Sequence, residues 1–451
     1  MRFPHWPLLA AFPLTALATS ASSQSLPLAP GAQVTTLSAQ PGTWSEPSVA
    51  VNPLNPRQVV TVFQHTAQAA YSEDAGRTWT LAQGVTPPEY RVSGDVSVVF
   101  DNQGHAILGC IAFDKLGTFN YWAHGATRNG IFLKRSPDGG KTWEPQLRTV
   151  VAQPTEPGIP FEDKPYFVAD TSKSSRYSGN LYVGWTRWTL TDSRMLFSRS
   201  TDDGLTWSQP IEIARDRGLP RDDNGALEGF DGAVGPDGTV YGVWAERDRI
   251  ELVESHDGGR TFSRARDIVT TAPIMFAIQG MDRANGFPQI AIDPRGGPKG
   301  GPLYVTWSDF RNGEVDIFLS VSRDHGRSWS APIRVNNDPV HDGAEHFFQW
   351  LAVDPVTGAV NVVFYDRRED PKNKRQIVVL ARSADAGKTF ANFAWTTTPF
   401  NPDGVFIGDY LGLAAWNNRV YGAWTFRSGT DDKTTVQAGI ADFGEHGASA
   451  R

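Results

Sequence analysis

Short runs of alternating small and large apolar residues recur along the chain, each closing on a bulky side chain. They are VVTVF (59–63), LYVGW (181–185), VYGVW (240–244), LYVTW (303–307), VNVVF (360–364) and VYGAW (420–424). Alternation at period two predicts strands packed between neighbours. A further run, AILGC (106–110), puts Cys110 in the slot that aromatics fill elsewhere, which makes this cysteine a core filler. Upstream of each run lies a second apolar phrase: EPSVAVNP (46–53), DVSVVFDNQG (95–104), KPYFVAD (164–170), FDGAVGPDG (230–238), PQIAIDP (288–294), QWLAVDP (349–355) and DYLGLAA (409–415). Seven such pairs predict seven copies of one sheet-forming unit.

Six of the units continue into a turn of common form: YSEDAGRTWT (71–80), RSPDGGKTWE (135–144), RSTDDGLTWS (199–208), ESHDGGRTFS (254–263), VSRDHGRSWS (321–330) and RSADAGKTFA (382–391). Their shared serines stand 64, 64, 55, 67 and 61 residues apart, which is a structural period. The aspartate of each turn is suited to accept bonds from nearby backbone N–H groups, and the glycine two positions on supplies the positive φ of a tight hairpin. The seventh unit adds TTVQAGIAD (434–442) and then runs out before a fourth strand, whereas QVTTLSA (33–39) precedes the first unit as an outer strand would. The expected fold is therefore all-β: a seven-bladed β-propeller of four-stranded antiparallel blades. Residues 25–451 form its single domain, with strand 33–39 closing the last blade and leaving no open sheet edge. A six-bladed ring, matching the six turns, is the alternative.

Composition then narrows the function classes. A net charge of -7, with 20% charged residues, provides no basic surface for nucleic acid. Residues 1–24 read as a signal peptide, with a basic start, an apolar run from Trp6 to Ala18 and then small residues. That run is short of the roughly 20 residues a membrane span needs. The expectation is an exported monomer, secreted or periplasmic, with no membrane span. Its single cysteine leaves the fold to be held by packing alone.

The six turns resemble the Ser-x-Asp-x-Gly-x-Thr-Trp Asp-box of sialidases and several other propeller families, and the chain resembles most the secreted bacterial sialidase-like, or BNR-repeat, proteins. The resemblance implies a glycoside hydrolase acting on a terminal acidic sugar of glycans. Two other readings stay open: a non-catalytic propeller that binds glycans or proteins, and a lyase acting on uronate polysaccharides. Fold alone does not choose between them.

Function is expected on the face opposite the repeated turns, in the loops around the central channel. Arg187, Arg247, Arg311, Arg367 and Arg427 each follow a second-strand aromatic by two to four positions, with His65 and Lys115 in like places in the first two units. Converging guanidinium groups suit an acidic glycan or polysaccharide; the alternative is that each pairs with a neighbouring acid to tie blades together. The heads of the first strands supply Glu46, Asp95, Glu162 with Asp163, Asp231 and Asp409. By the sialidase resemblance, Tyr410 is the expected nucleophile, Glu46 its activating base and Asp95 the acid. For a lyase, His346 is the candidate base, with Tyr365 or Tyr410 as partner. No metal or other cofactor is required, although the acid-rich loops 221–232 and 336–345 offer oxygen ligands for calcium.

Overall fold

The computed structural model describes residues 25–444 apart from 65, 116–127, 154–159, 275–276, 282 and 430; the signal-peptide segment 1–24 and His65 lie outside the described residues. The chain forms seven four-stranded antiparallel sheets, so the ring has seven blades and not six. The first strands of blades 1 to 7 are Ser45–Val51, Val92–Phe100, Phe161–Ala169, Leu227–Val234, Gln289–Ile292, His346–Val353 and Gly412–Trp416. Each contacts the first strand of the next blade, and the seventh contacts the first, which closes the ring. Gln33–Thr36 pairs antiparallel with Thr435–Asp442 as the outermost strand of blade 7, so the two ends of the chain share one sheet. No helix among the described residues is long and apolar enough to cross a membrane.

The core consists of wedges between adjacent blades. The second-strand slots hold Phe63, Cys110, Trp185, Trp244, Trp307, Phe364 and Trp424, all buried. Burial pushes the Cys110 thiol up to about 12, so it packs as a neutral side chain. The residue before the slot is glycine where a neighbouring ring must enter. A Cβ on Gly109 would lie 2.0 Å from the Phe167 ring of the next blade, and one on Gly184 would lie 2.3 Å from Phe230.

The six repeated turns fold alike. In the third copy Ser200 Oγ accepts the Gly204 N–H (2.9 Å) and donates to Asp202 (2.8 Å), whose carboxylate also takes the Thr206 N–H (2.9 Å) and hydroxyl (2.6 Å). The same bonds recur from Ser72 through Gly76 to Thr78 in the first copy. Burial alone would raise the Asp74 carboxyl, but the Thr78 and Ser72 donors outweigh it and hold the group at about 2. Blade 7 has no such turn because its outermost strand comes from the other end of the chain. Replacing Ser200 by Ala leaves the buried Gly204 N–H without a partner. The expected cost is about 1–3 kcal/mol of unfolding free energy by urea titration, and an unchanged midpoint would dismiss the turn as a staple.

Candidate functional site at the channel mouth

In a propeller blade the two faces of the sheet pack on neighbouring blades, and only the free edge of the first strand looks into the channel. A regular strand therefore aims few side chains at the axis. Here the first strands of blades 1, 2, 3, 4 and 6 break register near their heads, between Ser45 and Ser48, Gly94 and Ser97, Asp163 and Tyr166, Glu228 and Asp231, and Phe347 and Trp350. Each break contains a left-handed residue: Glu46 (φ 52°), Asp95 (43°), Lys164 (51°), Gly229 (76°) and Phe348 (54°). Such bulges bend a strand and redirect a side chain. Pro47 and Pro165 follow two of these residues, at positions where a strand tolerates the missing N–H. By register, Phe287 and Tyr410 hold the same position in blades 5 and 7.

Four of these positions, Lys164, Gly229, Phe287 and Tyr410, line a cavity whose walls come from blades 2 to 7, whereas Glu46, Asp95 and Phe348 are not part of its lining. Lys164, Tyr166, Asp231, Phe287, Trp350 and Tyr410 line it. The Lys164 ammonium lies 3.4 Å from the centre of the Tyr410 ring and 5.3 Å from that of Phe287, with its nitrogen buried and no hydrogen-bond partner. Trp350 packs between Tyr166 and Tyr410, at 5.3 and 5.8 Å.

Beside Lys164 stands a chain of carboxyl groups. Glu46 is hydrogen-bonded to Asp95, and Asp95 to Asp163. Burial, then the charges of Asp95 and Asp409, push Glu46 well above the usual carboxylate range. Asp163 is raised in the same way, by burial and then by Asp95, although Trp188 donates to it (2.7 Å). Burial would raise Asp95 as well, but the bonds from Asp163 and Glu46, the Lys164 charge and the Lys164 N–H (3.2 Å) together hold it low. The middle carboxyl of the three is thus shifted down while its two neighbours are shifted up. Glu228 is also raised, by burial and then by Asp163 and Asp409.

Of the residues expected to be catalytic, the fold brings Glu46, Asp95 and Tyr410 together. Tyr410 donates its hydroxyl to the Val96 carbonyl (3.1 Å), and burial, followed by Glu46, pushes its pKa well up. Glu46 accepts the Asp409 N–H (3.1 Å), and Gly408 makes room for it: a Cβ there would lie 2.6 Å from Glu46 Cγ.

The arginines do not converge. Arg187 pairs with Glu162, its direct cross-strand partner, at 2.6 Å. Arg311 pairs with Asp309 and donates to the Thr270 carbonyl (2.8 Å). Arg367 is fully buried, on Glu345 (3.1 Å) and the carbonyls of Gln279 and Asn373. Arg427 donates to the carbonyls of Asp403 (2.8 Å) and Asp431 (2.9 Å). Arg247 is exposed at a hairpin tip and borders a second pocket between blades 4 and 5.

His346, 0% exposed, is enclosed by Asp366 (3.4 Å), Asp338 (3.5 Å) and Asp316 (3.9 Å), away from any ligand's reach. Tyr365 is likewise buried, on the Thr425 carbonyl (2.7 Å). Four acids of the two loops that offered calcium ligands pair with arginines: Asp222 with Arg283, Asp223 with Arg221, Asp338 with Arg334 and Glu345 with Arg367. Among the described residues no three His, Cys, Asp or Glu side chains are grouped to hold a metal ion.

Two cations at the mouth were not anticipated as ligands from the sequence. Lys164 looks like an ordinary charge at a strand head. Arg283 lies in the long connection between blades 4 and 5, outside the repeat, and reaches across to Asp409 of blade 7 (3.0 Å) and to Asp222 of the connection between blades 3 and 4. Burial disfavours its charge, but Asp409 outweighs this and keeps it protonated.

Asp231 has a structural counterpart. Ser48 Oγ accepts the Val98 N–H of the next blade (3.2 Å) and Ser97 Oγ that of Phe167 (3.3 Å); at the equivalent position Asp231 accepts the Ile290 N–H (2.7 Å). All three tie the free edge of one first strand to its neighbour.

Comparison with protein-family models and with curated proteins finds no match for this chain. Solved structures of similar shape include the Hadza microbial sialidase Hz136 (TM-score 0.49, 15% identity, covering 86% of this chain and 73% of that one). Others are the intramolecular trans-sialidase of Ruminococcus gnavus (0.48, 12%, 71% and 89%) and an α-L-arabinanase of Penicillium chrysogenum (0.46, 14%, 72% and 88%). Likenesses at this level leave the chemistry to be read from the site itself.

Burial pushes Asp231 up to about 7 against the two N–H bonds it accepts. A carboxyl whose folded pKa is raised stabilises the fold below its unfolded pKa of about 3.9, and that stability is lost as the pH climbs through the folded value. Wild-type protein should therefore lose on the order of 4 kcal/mol from this group between pH 4 and 8. Asp231→Ser, which restores the arrangement of blades 1 and 2, should lack that loss. Urea titrations of both proteins at the two pH values decide it, and parallel pH profiles would refute the assignment.

Proposed function

We propose that this chain is a glycoside hydrolase working at the channel mouth on a terminal acidic sugar. What supports the reading is the run of Glu46, Asp95 and Asp163 brought together from blades 1, 2 and 3, in which neighbouring carboxyls are shifted in opposite directions. Pairs of titratable groups driven apart in this way furnish both an acid and a base at one pH. The roles follow the directions of these shifts and not the order suggested by the family resemblance. Glu46, 1% exposed, stores the proton and acts through Asp95, the half-buried carboxylate between it and Asp163 that faces the developing positive charge. As the C–O bond breaks, the leaving oxygen takes a proton from the Glu46–Asp95 unit, and the water that adds to the anomeric carbon returns one to it.

Carboxyls in direct contact lie closer than the roughly 5–9.5 Å that separates a glycosidase acid from its opposing carboxylate. Glu46 and Asp95 accordingly act as one proton-sharing unit, and Tyr410 and Trp350 form the opposing wall. The acidic sugar is supported by Lys164, whose buried nitrogen lacks a partner, and by Arg283 at the rim. A second reading, a non-catalytic glycan-binding propeller, is favoured by Arg187, Arg311 and Arg367, each held by a neighbouring acid. The lyase reading lacks support from His346, which is wholly buried.

Purified protein assayed on fluorogenic sialosides and uronides should release fluorophore. The rate should rise as Asp95 ionises and fall on the alkaline side as Glu46 loses its proton, giving a bell. Glu46→Gln and Asp95→Asn should each lower kcat by about 10²–10⁴ with the melting temperature kept, and Lys164→Met should raise KM for acidic substrates. No turnover of any acidic glycoside would leave the binding reading in its place, and wild-type rates in both carboxyl variants would remove Glu46 and Asp95 from the reaction.

A further inference from the structure

We propose that the second pocket, between blades 4 and 5, is a subsite for the hydroxyl-bearing edge of a neutral sugar. Glu228, Asn285, Arg247, Ser308 and Phe287 are among the residues that line it. Two of these side chains are almost entirely withdrawn from solvent, Asn285 at 5% and Glu228 at 6% exposure, yet Asn285 Nδ2 and Glu228 Oε2 have no hydrogen-bond partner. A buried polar atom without a partner is rare and costs about 1–3 kcal/mol. Two such atoms facing one cavity mark a place where a ligand's polar atoms belong.

The chemistry of the pair identifies that ligand. Asn285 Oδ1 is already engaged by the Phe287 N–H (3.4 Å), so the amide offers donors. Burial, then the charges of Asp163 and Asp409, shift the Glu228 carboxyl toward its neutral form, in which it can both donate and accept. Neighbouring hydroxyl groups, each donor and acceptor at once, satisfy both partners. A carboxylate does not suit the pocket, because its buried part holds no cation to pair with one. Arg247 is exposed and makes no ion pair among the described residues; it stands at the rim, where it can meet a ring or hydroxyl oxygen. Ile250, Ile274 and Phe287 give the apolar wall that the C–H face of a pyranose requires.

The position of the pocket adds a second element. Phe287 lines both this pocket and the channel cavity, and Glu228 directly precedes Gly229, which lines the channel. On the reading of the channel as the hydrolytic site, an acidic terminal sugar there places its neutral neighbour here. The substrate is then an oligosaccharide held by at least two units.

Saturation-transfer NMR and calorimetry on the full chain, with methyl galactoside, methyl glucoside and methyl N-acetylglucosaminide as probes and methyl glucuronide as the anionic comparator, test the subsite. At least one neutral glycoside should bind. Its affinity should fall tenfold or more in Asn285→Ala and in Ala245→Leu, which fills the pocket without removing a hydrogen bond, and should be retained in Asp95→Asn. Ala245→Leu keeps the test available if Asn285→Ala does not fold. Absence of binding by every neutral probe, or equal affinity in both pocket variants, overturns the subsite. Pocket-dependent binding in a protein without hydrolytic activity upholds the subsite while removing the proposed reaction. Hydrolysis with no pocket-dependent binding does the reverse.

Discussion

Everything at the channel mouth depends on the break in register at the head of the first strands. A first strand in a propeller has one edge paired within its blade and both faces pressed on neighbours, so regular alternation sends its side chains sideways into the wedges. A left-handed residue in a bulge is one way to turn a side chain toward the axis, and that conformation costs roughly 1–3 kcal/mol in a residue other than glycine. The chain accepts it at Glu46, Asp95, Lys164 and Phe348. What holds these residues there is the ring itself, since Ser48, Ser97 and Asp231 fasten each neighbouring edge just below the bulge. Closure of the seventh blade by Gln33–Thr36 therefore matters to the site as well as to the fold.

The bulges have an electrostatic consequence. They bring carboxyls from blades 1, 2 and 3 into contact in a space with little water, where like charges cannot all persist. Protonation of alternate members relieves the repulsion at no cost in backbone geometry. The Lys164 nitrogen lies against the face of Tyr410, whose ring quadrupole attracts a cation there. The same burial that raises Glu46 and Asp163 also raises Glu228, and it is this shift toward neutrality that lets Glu228 face the pocket between blades 4 and 5.

The fold was largely legible in the sequence because it is periodic. Seven apolar phrase pairs against six turns predicted seven blades, and the structure has seven. Register counted from the second-strand slot also located Glu46, Asp95 and Tyr410, since the heads of the first strands stand at a fixed offset from it. The arginines show where such counting stops. Their spacing from the slot is regular, but spacing does not reveal the partner across the strand, and Arg187 has Glu162 directly opposite. Lys164 was hidden for a different reason: a lysine before proline at a strand head looks solvated, and only the bulge carries it inward. Arg283 had no repeat to place it, because it belongs to a connection found once in the chain.

The charge balance of the mouth decides how an acidic protein can accept an anion. Glu46, Asp95, Asp163, Glu228 and Asp409 face only Lys164 and Arg283, and with every acid ionised the site would repel a carboxylate. Glu46, Asp163 and Glu228 are each shifted toward the neutral form, which lessens that repulsion. Asp409 is bound to Arg283, and Asp95 lies between Glu46 and Asp163, so the Lys164 ammonium is the one charge at the cavity that a ligand can still pair with. An incoming carboxylate adds a negative charge and strengthens the hold of Glu46 and Asp163 on their protons. On the proposed reaction, binding of an acidic sugar and retention of the Glu46 proton would reinforce each other, so the left-handed bulges that assemble the acids also favour the protonated form of one of them.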